Sequence, residues 1–223
     1  MKNINLNKIT YPVKIKQNIF FDQRGFFQEI FLKKKFNLNI KFTAIAKSKK
    51  NVIRGLHFQT KNKQTKFIYV VDGKILDVVV NLKKNSPQFG KFSKFILKEG
   101  EALFIPSHYA HGYECLSTKC YVLYHLERYR NPKYESGIQY NDKSLKIRWK
   151  SKNPILSERD QNHMNFKQFK ETLESINRIK EILKKLKSKL NYDLIFYEGT
   201  LVDKKFIEKV FSEVHSKFGK IDA

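Results

Sequence analysis

The sequence predicts an all-β domain followed by a small α/β appendage. Three observations carry this. β-rich runs with turn signals recur at close spacing through residue 150, helical periodicity is almost absent there, and the pattern changes near residue 165. VKIKQNIFF (13–21) is an apolar run followed by turn residues. The one hint of helix in this region lies around Phe31–Phe36. NVIRGLHFQ (51–59) reads as a buried strand. KFIYVVDGKILDVVVNLK (66–83) holds two strand-like runs broken by Asp72-Gly73, a hairpin signal. FSKFILKEG (92–100), EALFIPS (101–107) and KCYVLYHLERY (119–129) continue the pattern, which suits a β-sandwich or barrel.

Residues 166–190 place Leu173, Ile176, Ile179, Ile182, Leu183 and Leu186 at steps of three and four or close to them, the mark of an amphipathic helix. YDLIFYEG (192–199) reads as a strand. DKKFIEKVFSEVHSKFG (203–219) reads as a second helix, with Asp203 as its N-cap and Gly219 as its stop. The shift divides the chain into residues 1–165 and 166–223.

Of the 223 residues, 41% are hydrophobic, enough for a sizeable core. The 9 Gly, 5 Pro and 2 Cys exclude collagen-like, disordered and disulfide-scaffold classes. No apolar run approaches the ~18 residues of a membrane span. The basic start, MKNINLNKITYPVKIKQ, never becomes an apolar signal region, and Cys115 and Cys120 read as free thiols, which together indicate a cytoplasmic protein. The net charge of +24 raises the question of nucleic acid. Only seven of the 45 cations are Arg, and the Lys are scattered, so the charge points away from base and phosphate readout.

Chemistry concentrates in three stretches. In NVIRGLHFQ, Arg54 and His57 lie three apart. A regular strand would put them on opposite faces unless Gly55 distorts it. In EALFIPSHYAHGYECLS (101–117), a Pro-x-His-x-x-His-Gly turn between strands would bring His108 and His111 to a cavity mouth. The spacing partly follows a metal-binding motif, but the matching first motif needs a His-x-His pair, and here it is His57-Phe58-Gln59, so no metal site is expected. Residues 121–160 supply Tyr124, Glu135, Arg159 and Asp160, the last in a Ser-x-x-Asp segment typical of a turn or cap.

Taken together, FDQRGFFQEIF (21–31), SKKNVIRGLHFQ (48–59), GKILDVVVNLKKNSPQFGKF (73–92), LFIPSHYAHGYECLS (103–117), SGIQYNDKSLKIRW (136–149) and ILSERD (155–160) resemble the dTDP-4-dehydrorhamnose 3,5-epimerase family. The resemblance runs from about Ile9 to Asp160. It implies a cupin jelly-roll, the double-stranded β-helix, and a nucleoside-diphosphate 4-keto-6-deoxy sugar as substrate, without a cofactor. It implies His57 as base, Asp160 as its orienting carboxylate, Tyr124 as the acid on the opposite ring face and Lys66 as the cation beside the enolate oxygen. Arg24, Phe27, Glu29, Arg54, His111, Glu135 and Arg159 fall on its substrate-binding positions, and a homodimer formed by strand exchange is implied.

One departure concerns KFTAIAKSKKN (41–51), where Thr43 and Ala44 stand near a polar run of the family; a single-centre epimerase or ketoisomerase acting on another nucleotide-linked keto sugar, or a non-catalytic sugar-nucleotide-binding cupin, stays open. Residues 191–223 resemble a βα unit of an extended short-chain dehydrogenase. Without a glycine-rich segment or a Tyr-x-x-x-Lys pair, no NAD site is expected there.

Overall fold

The computed structural model describes residues 4–190, together with Ser212 and Ser216. The chain divides into two compact units, Met1–Asn165 and Phe166–Ala223. In the first, the elements in order are β1 (Val13–Lys16), β2 (Phe20–Asp22), β3 (Gly25–Phe27), α1 (Lys33–Phe36), β4 (Phe42–Lys49), β5 (Ile53–Gln59) and β6 (Lys66–Asp72). They continue with β7 (Lys74–Asn81), β8 (Phe92–Lys98), β9 (Glu101–Ile105), β10 (Tyr109–Cys115), β11 (Lys119–Leu126), β12 (Glu135–Gly137) and α2 (Glu158–Gln161). In the second unit the amphipathic segment forms α3 (Phe166–Leu190), with Phe166, Phe169 and Ile179 buried. The strand and helix expected over 192–219 lie outside the described residues, apart from Ser212 and Ser216.

Two five-stranded antiparallel sheets form, in the orders β1-β9-β6-β11-β4 and β12-β5-β10-β7-β8; β2 and β3 pair separately as a ribbon. From β4 to β12 the chain passes from sheet to sheet at every step except β7 to β8. That winding is the jelly-roll the resemblance implied. It also corrects the hairpin expected at Asp72-Gly73. There is a tight turn there, but β6 and β7 belong to opposite sheets, and β6 pairs with β9 and β11 instead. The run 13–21 is likewise two strands, not one.

Alternation along each strand assigns the faces. Between the sheets, Ile68 and Val70 of β6 meet Ile75 and Val79 of β7, Leu97 of β8, Leu103 and Ile105 of β9, Tyr113 of β10 and Val122 of β11. The opposite face of the first sheet, through Phe67, Tyr69 and Phe104, is covered by Leu6, Phe36 and Leu38 of the N-terminal segment. By the same alternation Lys66 shares the inward face of β6 with Ile68, and Tyr124 that of β11 with Val122. The sandwich is therefore apolar over much of its inner surface and polar in one region, where the site lies.

Leu103 is fully buried and Ile45 is 61% exposed. Urea unfolding of Leu103→Ala is expected to show a loss of about 2–5 kcal/mol. Ile45→Ala is expected to stay within about 0.5 kcal/mol of the parent.

Candidate active site

The site begins with an irregularity in β5. Its partner β10 sets His111 opposite His57 and Tyr113 opposite Arg54, so Gly55 and Leu56 of β5 together lie opposite the single Gly112 of β10. The extra residue is a bulge, and it turns Arg54 and His57 to the same inward face. Gly55 permits it. Its φ is +117°, and a Cβ there would come within 2.6 Å of both the Gly112 Cα and the His111 carbonyl oxygen. No other residue fits so close an approach with that backbone.

His57 Nε2 lies 2.5 Å from Asp160 Oδ1. Asp160 reaches it from α2, whose N-cap Ser157 accepts a hydrogen bond from the Asp160 amide at 3.2 Å. The Ser-x-x-Asp segment is thus a cap whose fourth residue turns its side chain into the site. The Asp160 carboxylate is 5% exposed, whereas the His57 side chain keeps 42%. Burial alone would raise the Asp160 pKa, but hydrogen bonds from His163 and His57 overcome it and hold the carboxyl far below the usual range. Lost hydration pushes His57 down, and this outweighs the upward pull of Asp160. His57 is therefore a neutral base at physiological pH, with Nε2–H donated to Asp160 and Nδ1 free as the acceptor.

Behind His57, on the neighbouring strand, His111 Nε2 pairs with Asp77 Oδ2 at 2.7 Å, both almost fully buried. The Pro-x-His-x-x-His-Gly segment is a turn only in its first half: Ser107 and His108 turn the chain from β9 to β10, and the Tyr109 amide donates to the Pro106 carbonyl at 3.1 Å. His111 lies within β10, His108 just precedes that strand, and the His108 ring lies tilted against Tyr109, with centroids 4.6 Å apart. The sequence did not single out Asp77. Among the described residues its second oxygen has no hydrogen-bond partner, nor has either amide atom of the buried Gln59, two residues beyond His57.

The opposing sheet supplies Lys66 and Tyr124. They stand diagonally on adjacent strands, since Lys66 pairs with Leu126 and Ile68 with Tyr124. The Tyr124 ring meets His111 edge-on, with centroids 6.1 Å apart. Burial first, then Tyr113 and Asp77, push the Tyr124 pKa well above its usual value, so the phenol stays protonated. Lost hydration lowers the Lys66 pKa to about 8, against the pull of Asp77 and Glu135. A base on one sheet thus faces a phenol and an ammonium on the other.

The other expected residues fall in three places. Arg54 lies beside the inner polar group, its Nε 2.9 Å from Ser48 Oγ, which bonds the Tyr113 hydroxyl. Glu135 is held by Arg130 at 2.5 Å and by Arg159 at 2.5 Å. Arg24, Phe27 and Glu29 sit on or just after the β2–β3 ribbon and are exposed; Arg24 pairs with Asp22. The ribbon joins neither large sheet. One residue at the centre, His163, was missed. Its Nε2 is 3.1 Å from Asp160 Oδ1; it lies just past α2, and a histidine three residues after Asp160 was the available signal. Cys115 and Cys120 are buried free thiols.

Because the Asp160 pKa is depressed in the folded chain, its stabilising effect is complete above its unfolded value of about 3.9 and is lost as pH falls further. Asp160→Asn is expected to flatten the fall in stability between about pH 5 and pH 2 in denaturant titrations.

The sequence profile of the dTDP-4-dehydrorhamnose 3,5-epimerase family matches residues 7–168. A relative of that name from Shigella flexneri is 35% identical over 173 residues, covering 74% of this chain and 96% of the relative. Another, from Methanothermobacter thermautotrophicus, is 35% identical over 66% of this chain and 85% of its own length. The crystal structure of the Bacillus anthracis enzyme with TDP and PPi bound superposes with a TM-score of 0.67 at 35% identity, over 70% of this chain and 94% of that one. The Legionella pneumophila protein in complex with dTDP-4-keto-L-rhamnose gives 0.66 at 31%, over 73% and 92%. The profile spans well over half of the sequence and these relatives align over most of their own length, so the chain belongs to the dTDP-4-dehydrorhamnose 3,5-epimerase family.

Proposed function

We propose that the chain is an isomerase that epimerises a nucleoside-diphosphate 4-keto-6-deoxy sugar at C3 and C5, of the dTDP-4-dehydro-6-deoxyglucose to dTDP-4-dehydrorhamnose type. One observation carries the reading. His57 and Tyr124 come from opposite sheets, so a sugar ring between them would have a base on one face and a proton donor on the other. The protons on C3 and C5 are acidic because each flanks the C4 ketone. His57 Nδ1 takes one, and the electron pair moves to the C4 oxygen as an enolate. The Lys66 ammonium stabilises that charge more than it stabilises the ketone. Tyr124 then delivers its proton to the opposite face of the carbon. Asp160 supports the imidazolium formed on His57. His57 returns its proton to solvent and Tyr124 regains one before the second centre reacts.

Arg54 and Arg159 suit the charge of the diphosphate. The ribbon exposes Phe20 by 52%, Phe21 by 76%, Phe26 by 51% and Phe27 by 66%. Such an aromatic surface suits a homodimer in which Arg24, Phe27 and Glu29 serve the site of a second copy. Sugar-nucleotide chemistry and buried thiols fit a cytoplasmic enzyme. No helix among the described residues is long and apolar enough to cross a membrane. Nothing in residues 191–223 provides the glycine-rich turn of an NAD site. Thr43 and Ala44, at the place of the family's polar run, favour a second reading: action at one carbon, or on the sugar of another nucleotide.

Purified chain with dTDP-4-keto-6-deoxyglucose in deuterated buffer is expected to place deuterium at both C3 and C5, read by proton NMR. Deuterium at one carbon would mark a single-centre epimerase, and none at either, with any nucleotide, would overturn the reading. His57→Ala and Tyr124→Phe are each expected to lower kcat by about 10²–10⁴ with the fold retained.

The pH profile has two limbs. Activity needs His57 neutral and Lys66 charged. It is therefore expected to rise below pH 6.5, the unperturbed His value, since His57 is shifted down from there. It is expected to fall as pH passes about 8. Lys66→Arg is expected to remove the alkaline limb whatever its effect on rate.

A further inference from the structure

We propose that His163 is a positioning residue for the base: its Nε2–H, given to the Asp160 oxygen that His57 also uses, fixes the carboxylate and limits how strongly it holds the His57 proton. This rests on the reading of His57 as the base. Three independent features place His163 in that role. Its side chain is 7% exposed, so its polar atoms require partners, and Nε2 finds Asp160 Oδ1 at 3.1 Å. Its ring stands edge-on to His57 at 84°, with centroids 5.4 Å apart. It also lies flat against Gly137, where a methyl group would overlap Nε2, Cδ2 and Cε1. Gly137 is the β12 residue paired with His57. The backbone is bare where a side chain would push His163 off the carboxylate.

A single carboxylate oxygen has two lone pairs and accepts both imidazoles. The second donor has two consequences. It prevents the carboxylate from rotating away from His57, so His57 presents Nδ1 to the cleft in one orientation. It also draws charge from Oδ1, which weakens the attraction of Asp160 for the imidazolium. The electrostatic influence of His163 on His57 acts in the same direction. The other titratable and charged groups around the pair are Arg54 on β5, His111 on β10, Asp77 on β7, Glu135 on β12, Arg159 on α2 and Lys66 and Tyr124 on the facing sheet. Substitution at 163 leaves all of them in place.

The test uses the full chain and the carbon-exchange assay. His163→Ala is expected to lower kcat by on the order of 10- to 100-fold with little change in KM. The acid limb of kcat/KM is expected to move to higher pH, because Asp160 now gives its full charge to His57. His163→Gln offers an N–H at nearly the same place but cannot titrate; it is expected to restore most of kcat and to return the limb toward its original position. A group that merely fills space would affect stability and leave the limb where it was. An unmoved limb in His163→Ala, or His163→Gln no better than His163→Ala, overturns the proposal. Should the variants fail to fold, long-range proton–nitrogen NMR of the unaltered chain labelled at histidine decides it. His163 protonated at Nε2 supports the assignment, and protonation at Nδ1 overturns it. If the unaltered chain exchanges no carbon-bound proton, the epimerase reading fails, and the tautomer still judges the geometry.

Discussion

A buried carboxylate must find hydrogen-bond donors, and the rest of the site depends on how Asp160 finds them. Water is excluded from it, so any donor withdrawn leaves a costly unpaired charge. The donors are imidazoles from β5 and from the segment just past α2, both on Oδ1, and the amide of Gly55, which reaches Oδ2 at 3.5 Å. That one residue therefore ties the C-terminal segment of the sandwich to the bulged strand. The backbone reinforces the tie: the Ile53 amide donates to the Ile155 carbonyl, and the Gln139 amide to the Met164 carbonyl. Strand, bulge and helix are held together, and His57 is aimed as a consequence.

Around this anchor the jelly-roll does what a flat sheet could not. It brings inward faces of two sheets together, so groups distant in sequence share one space. Apolar side chains fill much of that space, and a few polar ones line the remainder. Low local hydration then sets the protonation states. Burial weakens the hold of His57 and Lys66 on their protons and strengthens that of Tyr124. A neutral imidazole, a charged ammonium and an intact phenol coexist near neutral pH, the combination that enolate chemistry requires.

Much of this was legible in the chain. Period-two runs located most strands, and steps of three and four located α3. The resemblance of NVIRGLHFQ and ILSERD to the family marked His57 and Asp160, which neither segment does alone. The strand runs at 66–83 and 92–107 gave no sign that their halves join different sheets, because alternation specifies which side of a strand is buried and not which strand lies beside it. Pro106 and His108 do mark the turn before β10, but Gly112, which resembles turn chemistry too, is needed inside the strand for its close approach to Gly55. The shared face of Arg54 and His57 depends on a bulge, which needs both strands to be seen. His163 and Asp77 have no motif of their own. They matter only through Asp160 and His111, contacts that folding creates.

On the proposed function, one sugar ring sits between the two sheets with His57 on one face and Tyr124 on the other. A crystal structure of the chain with a dTDP-linked 4-keto-6-deoxy sugar tests it most directly. The account predicts C3 or C5 within roughly 3–3.5 Å of His57 Nδ1, the Tyr124 hydroxyl over the opposite face and Lys66 beside the C4 oxygen. A sugar lying outside the cleft, or one with His57 and Tyr124 on the same ring face, would contradict it.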